Sequence, residues 1–281
     1  MKKAITMIII GLSLVFVGGI IFIIGGSIIF KTNGGFDISK REMKTVEIVE
    51  DFKNINVDLI TYDVSLRPSQ DGKTKIEYTE TQKEKCNVVV SDSVLKITYK
   101  DDRKWFEKFF SFGGKSLTIY LPEKEYENLN IDITTGDLKL NSKATFKNAT
   151  ICSTTGDVEG SLKVLNDFNI KVTTGDIELS NINCENFSIV GTSSDIELIK
   201  VIASETFKIK VTTGDVEFSS CDSKNIEING TTGDVVGTLL SGKTFTVSTI
   251  TGEKILPQNS DGGICKINVT TGDVKIKLTN N

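Results

Sequence analysis

The chain has 281 residues, 38% of them hydrophobic and 25% charged, a globular composition that excludes intrinsic disorder. A net charge of -4 gives no ground for nucleic-acid binding, which needs a basic stripe for the phosphates. Histidine is absent, so the commonest general base and the commonest metal ligand are both missing.

Behind a three-residue tail carrying Lys2 and Lys3, the 27 residues from Ala4 to Phe30 contain no charge. At ~1.5 Å per helical residue they exceed a ~30 Å hydrocarbon core, so the expectation is a transmembrane helix over residues 4–30. A cleaved secretory signal is the alternative, but its apolar part runs roughly 7–15 residues to a small-x-small site. No convincing site of that kind precedes Lys31. The two lysines favour a cytoplasmic amino end, which puts a single-pass protein in the cell membrane with its large domain outside.

Residues 31–44 read as a polar linker, and residues 45–128 as an irregular β region capping the amino end of a solenoid. Its strand signals are short β-branched or alternating runs between Asp, Gly, Ser and Pro. They lie at 46–49, 55–57, 64–66, 75–78, 88–90, 95–99 and 117–120. Within this region Trp105, Phe106, Phe109, Phe110 and Phe112 cluster at helical spacing. The cluster reads as a flap over the β-domain or, alternatively, as a contact surface for a membrane or partner.

Residues 129–281 repeat. The phrase Thr134-Thr135-Gly136-Asp137 recurs until Thr270-Thr271-Gly272-Asp273, with the Gly, or once Ser194, at 136, 156, 175, 194, 214, 233, 252 and 272. Five residues earlier stands an aliphatic residue every time, as in Ile170, Ile189 and Ile209. Seven earlier stand apolar residues that include Phe168, Phe187, Phe207 and Phe245. Two later comes another aliphatic row, broken at Lys254, where a slip to Ile255 would restore it. Each repeat therefore reads as two short strands with one buried face, joined at the Thr-Thr-Gly-Asp turn. Units of 19–20 residues in constant phase imply a β-solenoid with stacked coils and an internal phenylalanine ladder; a sandwich of antiparallel hairpins would not need constant phase.

In the turn, Gly supplies a backbone conformation other residues avoid and Asp a bond to nearby amides, which is an architectural role. The functional alternative is a row of stacked carboxylates, with Asp157, Asp176, Asp195, Asp215 and Asp234 as candidate Ca²⁺ ligands. The row departs from its pattern at Ser194 and Glu253. No other cofactor and no catalytic residue is indicated. The five cysteines, at unlike phases of the repeat, read as apolar fillers and not as bridges.

The Thr-Thr-Gly-Asp-Val/Ile-x-Leu phrase at this period, behind Leu117-Thr118-Ile119-Tyr120-Leu121-Pro122, resembles the bacterial DUF4097 family of β-strand-repeat candidate adhesins. The resemblance covers roughly residues 45–279 and carries architecture without catalytic residues. It implies a right-handed parallel β-helix-like domain on the cell surface, in a family partly associated with envelope-stress operons. The expected function is a non-enzymatic, adhesin-like protein binding an envelope polymer or a membrane protein. Alternatives are a regulatory or structural part of an envelope-stress system, and a polysaccharide-active enzyme.

Overall fold

Apolar and polar residues alternate along nearly every segment described by the computed structural model, residues 41–103 and 114–279, and these segments are strands. Seven precede the repeats: β1 (Glu42–Ile48), β2 (Asn54–Thr61), β3 (Asp63–Pro68), β4 (Thr74–Glu80), β5 (Glu84–Ser91), β6 (Val94–Asp101) and β7 (Ser116–Leu121). Each overlaps one of the expected runs. The repeats supply β8 (Glu125–Thr135), β9 (Leu138–Thr155), β10 (Val158–Val164), β11 (Asp167–Thr174), β12 (Ile177–Ser193) and β13 (Ile196–Thr213). They continue with β14 (Val216–Thr232), β15 (Val235–Leu239), β16 (Thr244–Thr251), β17 (Lys254–Ile255), β18 (Ile264–Thr271) and β19 (Val274–Leu278).

Successive coils pair in parallel and in register, which rules out a sandwich of hairpins. Ile177 faces Ile196 and then Val216, while Ile189 faces Ile209 and then Ile228. The constant phase of the apolar positions thus becomes continuous buried rows. Phe168, Phe187 and Phe207 form the expected ladder, with ring centroids 5.7 and 5.4 Å apart. A second aromatic stack, Phe52, Tyr126 and Phe146, fills the amino-terminal coils at 5.6 and 5.5 Å. Between turns the long strands β12, β13 and β14 do not break; each bends at a left-handed residue, Asn181, Lys200 or Ser220. Pairing skips the bend residue and resumes on its other side, so one coil is largely one bent strand where two were expected.

The expectation of a right-handed parallel β-helix-like solenoid preceded by a transmembrane helix is corrected. The described residues form strands and no helix, and no helix among them is long and apolar enough to cross a membrane. The stretch 4–30 lies outside the described residues. The amino-terminal part is also not parallel throughout: β4 runs antiparallel to β1 and β7, and β5 to β6. The β5–β6 hairpin turns at Asp92 and Ser93, both left-handed, the geometry two-residue hairpins favour. The antiparallel strands add layers at this end, where β1 and β5 are outermost, each paired on one side only among the described residues.

The carboxyl end departs from chain order. β18 pairs with β14 on one side and with β16 on the other, so Ile267 lies between Ile228 and Val247. The last repeat is therefore inserted ahead of the one that precedes it in sequence, and the Gly252 coil is outermost. Lys254 keeps the repeat register opposite Val274, with Ile255 opposite Lys275 and both exposed. The expected slip to Ile255 does not occur, because an outermost coil has no next layer to fill. Lys243, almost fully buried, holds the crossover: its Nζ lies 2.6 Å from Asp222 Oδ1 and donates to Ser241 Oγ at 2.6 Å and the Gly262 carbonyl at 2.7 Å.

All five cysteines are free, and burial pushes the thiols of Cys86, Cys184 and Cys265 up to about 12.

Candidate functional site

The repeated turn is built by contacts between coils. Gly156 has φ +130°, and a Cβ there would come within 2.1 Å of the Gly136 carbonyl oxygen. Only glycine combines that backbone angle with so close an approach. The next residue closes the bend: the Asp157 N–H donates to Asp137 Oδ1 at 3.0 Å, Asp176 to Asp157 at 2.8 Å, and Asp195 to Asp176 at 3.1 Å. Asp215 donates to Asp195 and Asp234 to Asp215 at 2.8 and 2.7 Å. Each carboxylate thus accepts an amide at a corner where the strand ladder is interrupted.

All five candidate residues, Asp157, Asp176, Asp195, Asp215 and Asp234, are brought into one row, and the row is longer than the sequence repeat. It starts at Asp63, which accepts the Asp137 N–H at 3.1 Å. It passes through Asp273, whose N–H reaches Asp234 at 2.8 Å, and stops at Glu253, whose N–H reaches Asp273 at 2.8 Å. Ser194 does not interrupt it. That side chain turns inward over Gly191, where a Cβ would meet Ser194 Cβ at 3.1 Å. Asp63 escaped the sequence reading because buried Tyr62 stands in the glycine position and Ile60 in that of the first Thr; the signal was Thr61-Tyr62-Asp63-Val64-Ser65-Leu66, which keeps the second Thr, the Asp, the Val and the Leu of the phrase.

Beside the carboxylates runs an exposed hydroxyl row. In register it comprises Thr61, Thr135, Thr155, Thr174, Ser193 and Thr213, and then Thr232, Thr271 and Thr251. Hydroxyls and carboxylates therefore repeat at the ~4.8 Å strand spacing along every coil. On the other side of the Asp row, Glu159, Glu178, Glu197 and Glu217 stack in register, three residues after each Gly or Ser194. The first three line a groove of about 590 Å³ whose opposite end carries Arg67 and Lys139. Lys139 is ion-paired to Glu159.

The charge is partly balanced in place. Asp273 is held below the ordinary carboxylate range by the Glu253 amide it accepts and by Lys275, 2.8 Å away. Among the described residues no three Cys, Asp or Glu side chains converge as metal ligands. One carboxylate per coil, with one oxygen already accepting an amide, is a row and not a cage. Trp105, Phe106, Phe109, Phe110 and Phe112 lie outside the described residues.

Stacked in-register coils with a shared turn define a β-strand-repeat solenoid. Residues 52–204 and 161–281 each match the family model Toastrack DUF4097, and the chain belongs to that family. A solved candidate adhesin from Parabacteroides distasonis superposes with TM-score 0.56 at 16% identity, covering 85% of this chain and 98% of that one, and shows the same fold. A candidate adhesin from Bacteroides fragilis gives TM-score 0.43 at 16% identity, covering 71% and 96% of the two chains. A candidate lipid-binding protein from P. distasonis gives 0.47 at 15%, covering 86% and 97%. No curated protein matches the chain.

Proposed function

We propose that this is a non-enzymatic, adhesin-like protein of the cell surface whose hydroxyl-and-carboxylate strip binds a repeating envelope polymer. The observation that carries the reading is that the strip stays unbroken where the sequence repeat does not: at Tyr62, at Ser194, and where the coil order inverts. A polymer with its own axial repeat gains from many weak contacts at fixed spacing, because each further contact adds little ordering cost on a rigid stack. The adhesin-type solved structure agrees with a binding role. The uncharged apolar stretch 4–30 suits a chain that enters the export route.

The test is retention of the full chain by isolated envelope fractions, with Ca²⁺ or with chelator, against a triple variant Thr155→Val, Thr174→Val, Thr213→Val. Valine keeps the branched shape and removes the hydroxyls. Retention by one polymer fraction that falls at least tenfold in the variant is the expected result. Loss on chelation adds a cation to the Asp row, whereas undiminished retention by the variant moves the site elsewhere. Retention by no polymer fraction ends the reading and directs attention to a membrane-protein partner.

A further inference from the structure

The outermost coil ends on an unusual edge. Among the described residues β16 pairs only with β18, and β17 only with β19. The β16 sequence, Thr244-Phe245-Thr246-Val247-Ser248-Thr249-Ile250-Thr251, contains no charge, proline or glycine and is mostly β-branched. Edge strands are ordinarily blunted by lysine, proline or a bulge, because open amides and carbonyls template pairing with another strand. The buried rows also end here, with Leu256 packed partly buried against them. Phe187, Phe207, Ile189 and Ile209 are at most 1% exposed, whereas their counterparts Phe245 and Val247 remain partly open and Ile250 is 81% exposed.

Among the described residues the loop after β17 reaches only the start of β16: the Lys243 carbonyl accepts the Ser260 N–H at 3.0 Å, and the Thr244 hydroxyl donates to the Ser260 carbonyl at 3.3 Å. Residues 246–251 have no strand on their outer side among the described residues.

We propose that β16 is a self-association edge, on which two copies of this chain pair antiparallel about a two-fold axis. A second β16 fits because it brings no like charges together. It sets only uncharged Thr, Ser, Val and Ile side chains opposite one another, and covers each copy's exposed core end with the other's. The loop after β17 limits the contact: the Phe245 amide is already taken by Asn259 Oδ1 at 3.0 Å, which leaves residues 246–251 for the partner. The proposal is independent of what the strip binds, and its consequence is that two strips would meet at one dyad.

Light scattering on the full chain in mild detergent tests it, comparing the native chain with the double variant Thr246→Lys, Ser248→Lys. Both side chains are exposed, so the fold is expected to persist with an unchanged melting temperature. The expected masses are two chains for the native protein and one for the variant. A single-chain native mass at tens of micromolar, or a variant that stays dimeric, overturns the proposal. Should the lysine variant not fold, Ser248→Cys decides. Ser248 lies near the middle of the free stretch, so mild oxidation is expected to give a covalent dimer that the native chain does not form. Absence of that dimer overturns the proposal as well.

Discussion

The interior coils and the carboxyl-terminal coils obey the same repeat and reach opposite outcomes. From Leu138 to Thr232 chain order and spatial order agree, each strand has a neighbour on both sides, and the aliphatic and Phe rows are closed to solvent. After Leu239 the chain skips a position, lays β16 outermost, and returns to place β18 and β19 in the gap. Identical phase therefore fixes which face of a strand is buried, but not which coil is its neighbour. Neighbour choice is settled by contacts outside the repeat, chiefly the buried Lys243 ammonium and the close approach of Gly242 to Ser260.

If burial on both sides is what separates the two regions, the same truncation should cost very different amounts in each. Phe187→Ala, at a fully buried ladder position, is expected to cost about 3–5 kcal/mol, read from urea denaturation. Phe245→Ala, on the half-open outer coil, should cost well under half of that in the Thr246→Lys, Ser248→Lys background, where no second copy covers the edge; equal costs there would show that something else covers it. Lys243→Ala removes the ammonium that Asp222 and the Gly262 carbonyl share. A loss of about 2 kcal/mol is expected, below the ~3–5 of a fully buried pair because Asp222 keeps some solvent. Hydrogen exchange should rise first in residues 264–278. Uniform acceleration through β12 and β13 would mean the inserted repeat is not an independent unit. In the interior, Ser194→Ala deletes a buried hydroxyl that has no hydrogen-bond partner among the described residues and should stabilise by about 1 kcal/mol, with the Asp row intact.

The array and its buried rows were legible because a fixed 19–20 residue interval survives every substitution within it. The five Asp were identified for the same reason, and their bonding could be anticipated from the ordinary behaviour of Asp in turns. Three features were hidden for physical reasons. Asp63 belongs to the row, but Tyr62 replaces the glycine that marks the phrase, since at the first repeat-like coil the backbone need not pass over an earlier turn. The inverted coil order left one trace in the sequence, Lys254 in the phase that Val235 and Val274 fill with buried valines, and the sequence reading took it for a local slip. The antiparallel closure of the amino end was missed because short alternating strands look alike whether they pair parallel or antiparallel.

The smallest effect is expected where the carboxylate row ends. Asp273 accepts the Glu253 amide and sits against Lys275, and both hold its folded-state value below the ordinary carboxylate range. A carboxylate lowered on folding contributes stability that is complete above its unfolded value, ~3.9, and disappears as pH falls through the lower folded one. Asp273→Asn keeps an oxygen for the amide and removes the charge, so the variant should unfold slightly more easily than the native chain at pH 7. The gap should close as pH falls from about 5 through the carboxylate range. Carboxyl carbon shifts followed through an acid titration would report the same group directly. A stability difference between the two chains that persists unchanged at the acid end would show that the amide bond, and not the charge, fixes the outer coil.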